Sequence, residues 1–527
     1  MSIRVVTASE AAGLDANAVA RGVPSRDLMR AAGEGAAQLL MERFPLETGR
    51  GVAVFTGAGN NGGDGWVLAG ALARRGVRVR VHDAVAAATP DAMAARDAAS
   101  AHLAHAPPDG SEGVLVDALL GTGARGVPRG PIAAAIERIE SRRSQHDVTA
   151  RRPRVLSLDI PSGVDATTGD APGVAVRADV TATFGSVKRG LLLNRALAGG
   201  IAVIDIGLAA ESASSSAPLL VDAAFVRSVV PPIPADAHKG TRKRLVIVGG
   251  SLGMAGAVIL ASRAARRSGI GMVRLCVARD SIAAVQAAEP AATAVPWPET
   301  TAEIDALAAW AHVMLVGPGL GLESHAHQVA ERLLAATTCP VVLDADALRF
   351  GGGTPDGIRQ LLGGRVAVLT PHAAECARLT GQPVEEVQRG CFSIAREVAT
   401  AAGAVVLLKG TPTVVSDGLR IVVSAAGSPV LATAGSGDIL SGIVATLLGQ
   451  GPHSAADALA AAAAAAWTHG HAAEIAGAGS VRGVALEDVI DALRLAWRFE
   501  PRATAAPVLA ELASVGSDRD LFGGEGS

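Results

Sequence analysis

Two glycine-rich turns, far apart in the chain, each run into a helical pattern and carry an aspartate near the start of that helix. The upstream turn spans Gly57–Gly65 (GAGNNGGDG), and the downstream turn spans Ala434–Asp438 (AGSGD). Glycine lets the backbone turn tightly, and a helix N-terminus presents free N–H groups and the positive end of a dipole. Such turns suit phosphate. The sequence therefore predicts two separate phosphate-handling sites.

The 527-residue length predicts at least two domains, because single hydrophobic cores rarely grow past about 250–300 residues. A serine-rich segment, Ser212–Pro218, and a stiff segment, Pro231–Pro234, mark the boundary between them. We expect a first domain over residues 1–225 and a second over residues 226–500. Residues 501–527 are rich in Pro, Ala, Gly and Asp, which is typical of a disordered tail.

Composition narrows the class of partner and the compartment. The net charge of −3 gives no reason to expect nucleic acid or an anionic membrane. The four cysteines form no C-x-x-C pair, so neither a zinc site nor a disulfide framework is indicated. The N-terminus lacks an apolar leader, and the alanine-rich run at 458–467 is too short to cross a bilayer. We expect a cytoplasmic protein that acts on small molecules.

Both halves alternate short apolar strands with helical patterns, which predicts an α/β fold with parallel sheets. In the first half, the segments Val52–Phe55, Val114–Asp117 and Val155–Asp159 each end in a polar or glycine-rich cluster. Ligands bind beyond the carboxyl ends of strands in such sheets. Asn61, Asp117 and Ser162 supply oxygens there for a hard cation, unless they serve only as turn and cap residues.

In the second half, Asp438 follows a glycine turn at a helix start, where it could take a proton from a hydroxyl that attacks phosphate. An acidic N-cap is the simpler alternative for this residue. Three further clusters also follow predicted strands: Gly317–Gly321 (GPGLG), Thr370–Glu375 (TPHAAE) and Lys409–Thr413 (KGTPT). His372 alone would more often be structural, but its place in this row of strand-end motifs favours a functional role.

The second half resembles the NAD(P)H-hydrate dehydratases, which have a ribokinase-like α/β fold, over about residues 236–498. The resemblance rests on an ordered set of motifs: His238-Lys239-Gly240, Gly249-Gly250-Ser251, Gly256-Ala257, GPGLG, TPHAAE, Lys409-Gly410 and GSGD. It implies a nucleotide site at Lys409, Gly410, Thr411, Pro412, Thr413 and Gly437. It implies contacts to the hydrated nicotinamide from Ala257, Gly319, His372 and Asp438, with Asp438 as the catalytic base.

The first half, about residues 1–225, is similar to the NAD(P)H-hydrate epimerase family, with a Rossmann-like, doubly wound sheet. The motifs are NNGGDG, VDALLGTG from Val116, LDIPSGVD from Leu158, and the segment Phe184–Leu191. The resemblance implies substrate contacts at Asn60, Asn61, Gly62, Gly63, Asp64, Gly121, Thr122, Gly123, Ala124, Arg125, Gly126, Val127 and Asp159. It implies a potassium ion on Asn61, Asp117 and Ser162. Asp159 is our first choice for proton transfer, and Lys188 is a second candidate.

In tandem, the two resemblances imply a bifunctional enzyme that repairs hydrated NAD(P)H. The first domain would interconvert the R and S epimers at C6, either through ring opening or through loss and return of the C6 oxygen. The second would dehydrate the S epimer with ADP and Mg²⁺. The products would be NAD(P)H, AMP and phosphate. One alternative is a ribokinase-like kinase of a small alcohol, a vitamin precursor, with an accessory first domain. Another is a nucleotide-sensing scaffold without turnover. A homo-oligomer is compatible with all three.

Overall fold

The computed structural model describes residues 3–103, 107–144, 152–451, 454–499 and 506–515. The chain divides into two compact units, and the division falls between Leu219 and Leu220 rather than after residue 225. The first unit also takes in the described residues 506–515 near the end of the chain. Within the described ranges, no helix is both long enough and apolar enough to cross a membrane.

The strands up to the boundary are short, and the central ones are buried on both faces. Val52–Thr56 and Val114–Ala118 are buried at every position, which is why their sequences are apolar runs rather than alternating patterns. The strands are β1 Val5–Val6, β2 Val52–Thr56, β3 Val79–Asp83, β4 Val114–Ala118, β5 Arg154–Leu158, β6 Val180–Phe184, β7 Val187–Lys188, β8 Gly200–Ile204 and β9 Leu219–Leu220.

Helices connect these strands and cover the sheet. Ala8–Phe44, which reads as one helical pattern, forms two helices, because Gly22 and Pro24 interrupt it. The helices of the first unit are α1 Ala8–Ala20, α2 Ser25–Arg43, α3 Pro45–Thr48, α4 Asn60–Arg74, α5 Pro90–Ser100, α6 Gly130–Ser144, α7 Arg189–Leu193, α8 Arg195–Ala198 and α9 Ala209–Ser214. The next helix, α10 Ala223–Val229, follows the boundary and belongs to the second unit.

The second unit is built on a ten-stranded sheet. Its strands, in addition to β9, are β10 Arg244–Val248, β11 Met272–Val277, β12 Thr293–Pro296, β13 Val313–Val316, β14 Val341–Leu343, β15 Ala367–Leu369, β16 Val405–Leu408, β17 Thr413–Ser416 and β18 Ile421–Ser424. The order is β12-β11-β10-β13-β14-β15-β16-β17-β18-β9. The pairs from β12 to β16 are parallel, and β16 to β18 form an antiparallel meander.

Helices of the second unit alternate with its strands, as the sequence predicts. They are α11 Ala255–Arg267, α12 Ile282–Ala288, α13 Thr301–Trp310, α14 Ser324–Ala335, α15 Pro355–Leu362, α16 Ala373–Thr380, α17 Val384–Arg389, α18 Cys391–Ala402, α19 Ser436–Gln450, α20 Ala455–Ala476 and α21 Leu486–Ala496. The alanine-rich segment belongs to α20, which is buried along much of its length in the protein core.

The segment after the second unit corrects one expectation. Val508–Leu512 forms a strand, β19, that pairs antiparallel with β8, so the first sheet has the order β19-β8-β6-β5-β4-β2-β3. Backbone and side-chain contacts hold this segment, including Asp205 N–H to the Pro507 carbonyl at 2.8 Å and an Arg43–Glu511 ion pair. The disordered tail expected over residues 501–527 is therefore wrong for residues 506–515. Residues 501–505 and 516–527 lie outside the described residues.

Candidate active sites

The N-terminus of α4 lies directly against the turn that follows β4. A Cβ atom added to Gly62 would lie 2.0 Å from the Gly57 carbonyl oxygen, and one added to Gly57 would lie 2.0 Å from that of Leu119. Any side chain at either position would push the helix away from the sheet. The glycines therefore bring the first turn of α4, with Asn60 and Asn61, to the carboxyl ends of β2 and β4.

Asp117 is fully buried at the end of β4 and accepts hydrogen bonds at both oxygens. Ser162 donates its hydroxyl at 2.6 Å and its backbone N–H at 2.8 Å, and the Ser157 hydroxyl donates at 2.9 Å. The Leu119 N–H is a longer donor at 3.3 Å. Burial raises the pKa of Asp117, although these hydrogen bonds oppose the shift. This network fixes Asp117 and Ser162 as one unit.

Asn61 completes that corner of the site. Its side-chain N–H donates to the Leu120 carbonyl at 2.9 Å, whereas its buried Oδ1 atom has no hydrogen-bond partner among the described residues. Ser162 Oγ also accepts from Leu120 N–H at 2.9 Å, so both side chains meet at the same turn. A buried amide oxygen without a donor is costly unless a ligand satisfies it. The structure thus brings together the three residues assigned to a cation.

Asp159 and Lys188 form a buried ion pair beside this corner. Asp159 directly follows β5 with a φ of 63°, in the left-handed region that side chains rarely adopt. Its Oδ1 lies 2.6 Å from Lys188 Nζ, and its Oδ2 accepts from Thr122 N–H at 3.0 Å. Lys188 also donates to Thr183 Oγ1 and the Phe184 carbonyl, each at 3.1 Å. The strained backbone and the ion pair fix the carboxylate at the strand end.

The other residues assigned to the first site surround this ion pair. Gly121 lies between Asn61 and Asp159, because a Cβ on it would be 3.1 Å from Asn61 Cβ and 3.3 Å from Asp159 Oδ2. The loop from Gly121 to Val127 is mostly exposed, and Arg125 has an exposed side chain there. Asn60 is also exposed and accepts a hydrogen bond from Thr89. Gly62, Gly63 and Asp64 lie within the start of α4.

In the second unit, Asp438 lies in the first turn of α19, as expected. Gly435 precedes that helix with a φ of 96°, a conformation suited to glycine. Burial raises the pKa of Asp438 to about 7, and the charge of Asp344 adds to the shift, while Lys409 opposes it. An aspartate that titrates near neutral pH at a helix N-terminus suits a general base.

Lys409 joins several of the strand-end motifs in one charged cluster. Its Nζ lies 2.9 Å from Asp344 Oδ1 and 3.8 Å from Glu375 Oε2. Thr370 donates its hydroxyl to the same Asp344 oxygen at 2.7 Å. Burial would lower the pKa of Lys409, but the two carboxylates outweigh it and raise the pKa, so the ammonium stays charged.

His372 has a structural use in addition to its assigned contact. It is the N-cap of α16, and its Nδ1 accepts from the N–H groups of Ala374 and Glu375 at 3.1 and 3.2 Å. Glu375 in turn accepts from His372 N–H at 2.8 Å, which completes a capping box. Partial burial lowers the pKa of His372. Because Nδ1 accepts two N–H groups, the ring carries its proton on Nε2, and about half of the side chain is exposed.

The remaining assigned residues of the second unit also lie at this edge of the sheet. A Cβ on Gly319 would be 3.2 Å from Ala257 Cβ, and one on Gly437 would be 3.3 Å from Lys409 Nζ. His372 pairs with Lys409 in an isolated parallel bridge, so their motifs are adjacent. Lys409–Thr413 leads from β16 into β17, the first two strands of the antiparallel meander.

The sequence motifs do not single out Asp344 or Ser157, they include Glu375 and Thr370 only as members of the TPHAAE segment, and they leave Lys188 as a second candidate. Asp344 directly follows β14, as Asp117 ends β4, so the same strand-end rule could have found it. Lys188 carried no such signal, because its importance comes from the 2.6 Å contact to Asp159, a residue distant in sequence.

Two family models match this chain. One, described as NAD(P)H-hydrate dehydratase, matches residues 245–495, and the other, described as YjeF-related protein N-terminus, matches residues 25–190. A solved structure of the ADP/ATP-dependent NAD(P)H-hydrate dehydratase from Bacillus subtilis, co-crystallised with ATP and Mg²⁺, is 28% identical with a TM-score of 0.45. That likeness covers 53% of this chain and 97% of the Bacillus chain.

Curated relatives match almost the whole length. The bifunctional NAD(P)H-hydrate repair enzyme Nnr of Pyrobaculum aerophilum is 34% identical, covering 93% of this chain and 97% of its own. The enzyme of the same name from Salinibacter ruber is 37% identical, covering 89% of this chain and 91% of its own. The one from Escherichia coli is 33% identical and covers 90% of each chain. The chain therefore belongs to the family of bifunctional NAD(P)H-hydrate repair enzymes, with the epimerase unit first and the dehydratase unit second.

Proposed function

We infer that the second unit consumes ADP to dehydrate the S epimer, with Asp438 as the general base. Asp438 would take the proton of the C6 hydroxyl as that oxygen attacks the terminal phosphate of ADP, releasing AMP. Phosphate is a better leaving group than hydroxide, so its loss from C6 regenerates NAD(P)H. The observation that carries this proposal is the half-buried Asp438, with a pKa of about 7, beside the Gly435–Gly437 turn.

The nucleotide would lie across the loop from Lys409 to Thr413 and the N-terminus of α19. Lys409 is charged and lies 3.3 Å from where a Cβ of Gly437 would be, so a small residue there leaves room beside the ammonium. Backbone N–H groups of the Gly435–Gly437 turn would hold the terminal phosphate. Ala257, Gly319 and His372 would line the side where the hydrated nicotinamide binds.

The donor set at this edge fits Mg²⁺. Asp344 and Glu375 are carboxylates beside Lys409, and hard oxygen ligands of this kind suit the ion. Within the described ranges, no group of three or more His, Cys, Asp or Glu side chains is arranged to hold a metal. Water and nucleotide phosphates would therefore complete the shell, as is usual for Mg²⁺. The ion would neutralise charge on the phosphates.

The first unit fits a potassium ion at Asn61, Asp117 and Ser162. The unpartnered, buried Asn61 Oδ1 is the observation that supports it, because a cation would satisfy that oxygen. Asp117 would supply the only full negative charge of the three. The site would hold the turn from Leu119 to Gly121 in place, next to Asp159.

We propose that Asp159 accepts a proton from the substrate during epimerisation. The 2.6 Å ion pair with Lys188 holds the Asp159 carboxylate at the end of β5, where it would meet the substrate. The start of α4, Asn60–Asp64, and the exposed loop Gly121–Val127 would bind the remainder of the dinucleotide. The four cysteines are unpaired, which suits the reducing cytoplasm as the location.

The test is recovery of the near-ultraviolet absorbance of reduced nicotinamide from purified R and S epimers of hydrated NADH. We expect the S epimer to be consumed at once when ADP and Mg²⁺ are present, and the R epimer to follow at the rate of epimerisation. Comparing the rate of S-epimer dehydration with ADP and with ATP shows which nucleotide the second unit uses. A small-alcohol kinase would phosphorylate a thiazole or pyrimidine precursor and leave both epimers unchanged.

A further inference from the structure

Asp64 is a buried carboxyl group without a partner. Asp64 is 9% exposed, yet no described residue forms a hydrogen bond or an ion pair with its side chain. Neither carboxyl oxygen is among the fully buried, unpartnered polar atoms, so both keep some contact with solvent. Nearly all buried polar side chains in native proteins are satisfied, so this exception calls for an explanation.

The groups around Asp64 belong to the epimerisation site. Asp159 and Lys188 lie within electrostatic reach of it, as does Asp15, an exposed residue on α1. Acidic side chains on the neighbouring helices and strands are paired elsewhere, as with Glu34 and Arg74, 3.6 Å apart. Burial, and then the negative charges of Asp159 and Asp15, raise the pKa of Asp64 well above its usual value. Asp64 therefore lies near the Asp159–Lys188 ion pair as a buried carboxyl group whose surroundings favour the protonated form.

We propose that Asp64 is the general acid of epimerisation, paired with Asp159 as the base. This inference rests on the proposed role of Asp159. One carboxyl group is held in an ion pair with Lys188, and the other is buried without a hydrogen-bond partner in the described part of the chain. Two carboxyl groups in contrasting surroundings are what acid–base catalysis uses. The Asp64 carboxyl protonates the ring nitrogen N1 while Asp159 removes the proton of the C6 hydroxyl.

The step balances as a reversible ring opening. The hydroxyl proton moves to Asp159, its O–H electron pair forms the C6=O bond, and the C6–N1 pair moves to N1, which takes the proton of Asp64. The open form is an aldehyde joined to an enamine. Rotation about C5–C6 presents the other face of the aldehyde, and N1 closes on it. N1 returns its proton to Asp64, and Asp159 returns its proton to the oxygen. Opening and closure together return each proton to the group that gave it, so this route needs no separate proton relay.

The test compares Asp64→Asn with Asp159→Asn and Asp97→Asn in the full-length chain. Asp97→Asn is the matched control, because it removes an exposed carboxyl group on α5 that is not among the charges acting on Asp64. The R epimer of hydrated NADH is supplied with ADP and Mg²⁺, and the S epimer is assayed in the same preparation. We expect Asp64→Asn to lower kcat for R-to-S conversion by about 10²-fold or more at little changed KM. Dehydration of S by all three variants, and R-to-S conversion by Asp97→Asn, should stay near wild type.

Three outcomes would overturn the inference. If Asp64→Asn converts R at a near-normal rate while Asp159→Asn does not, Asp64 is not the acid, although the base assignment stands. A raised KM with unchanged kcat would make Asp64 a substrate contact only. Near-normal rates in both variants would instead refute the proposed role of the whole pocket.

Two measurements keep the inference testable if Asp64→Asn fails to fold. Asp64→Glu retains an acid and should recover part of the rate. With the wild-type chain in water labelled with heavy oxygen, single-turnover epimerisation should leave the C6 oxygen largely unlabelled. One labelled oxygen for each epimerisation event would show that the oxygen leaves, and would refute the ring-opening step.

Discussion

Replacement of Asp438 by Asn tests the dehydratase mechanism most directly. Asn keeps the size and hydrogen bonding of the side chain but cannot take the hydroxyl proton. Loss of a general base costs about 10²–10⁴ in rate, or about 3–5 kcal/mol of transition-state stabilisation. We expect the whole loss in kcat for the S epimer, with ADP affinity retained, because the backbone amides of the Gly435–Gly437 turn remain.

The raised pKa of Asp438 predicts how strongly kcat of the wild-type enzyme should change with pH. The base is active only when ionised, and its pKa is raised to about 7. At a pH about one unit below that value, roughly a tenth of the molecules carry the ionised base, so kcat should be about tenfold below its alkaline plateau. The rate should therefore rise with pH through neutrality and then level off. Asp438→Asn should lack this rise.

The assay measures S-epimer dehydration and ADP binding on the same preparation. Asp305→Asn, which changes an exposed aspartate on α13, serves as the matched control. Turnover of Asp438→Asn close to that of the control would refute the general-base role. Loss of ADP binding together with turnover would show that Asp438 holds the nucleotide or its metal instead.

Three further predictions concern the two units. Asp117→Asn should weaken the potassium dependence of R-to-S conversion and leave dehydration of S intact; equal loss of both rates would contradict a local cation site. Removal of residues 506–527 exposes the β8 edge, so the first unit should melt at a lower temperature in calorimetry while dehydration persists; an unchanged transition would contradict the role of β19. A fragment from Leu219 to residue 500 keeps β9 and should dehydrate S but leave R to spontaneous epimerisation; rapid use of R would contradict the division of activities.

The sequence predicts those parts of the fold where local pattern and burial agree. Strands such as Val52–Thr56 and Val313–Val316 are apolar throughout because both faces of the sheet are covered, so their existence and approximate ends could be read directly. The placement of Asp438 in the first turn of α19 likewise follows from its glycine turn. The helix break near Pro24 was missed, although proline and glycine signal it.

Features that depend on distant contacts could not be predicted in the same way. Val508–Leu512 lies in a segment rich in Pro, Ala, Gly and Asp, and pairing with β8, some 300 residues earlier, makes it a strand. The unsatisfied Asn61 Oδ1, the left-handed conformation of Asp159 and the isolation of Asp64 all arise from tertiary packing. Sequence identified these residues as candidates, but only the structure distinguishes their surroundings.

Because β19 pairs with β8, the first sheet can be completed only when the end of the chain has been made. The first unit needs a strand from near the C-terminus, so the dehydratase unit is an insertion within the epimerase unit along the chain. Domains generally fold as they emerge from the ribosome, the N-terminal one first. Here the epimerase sheet can gain its last edge strand only after the dehydratase unit has been translated. Translation that stops early would therefore leave an epimerase unit with an open edge, and a complete one is made only together with its dehydratase.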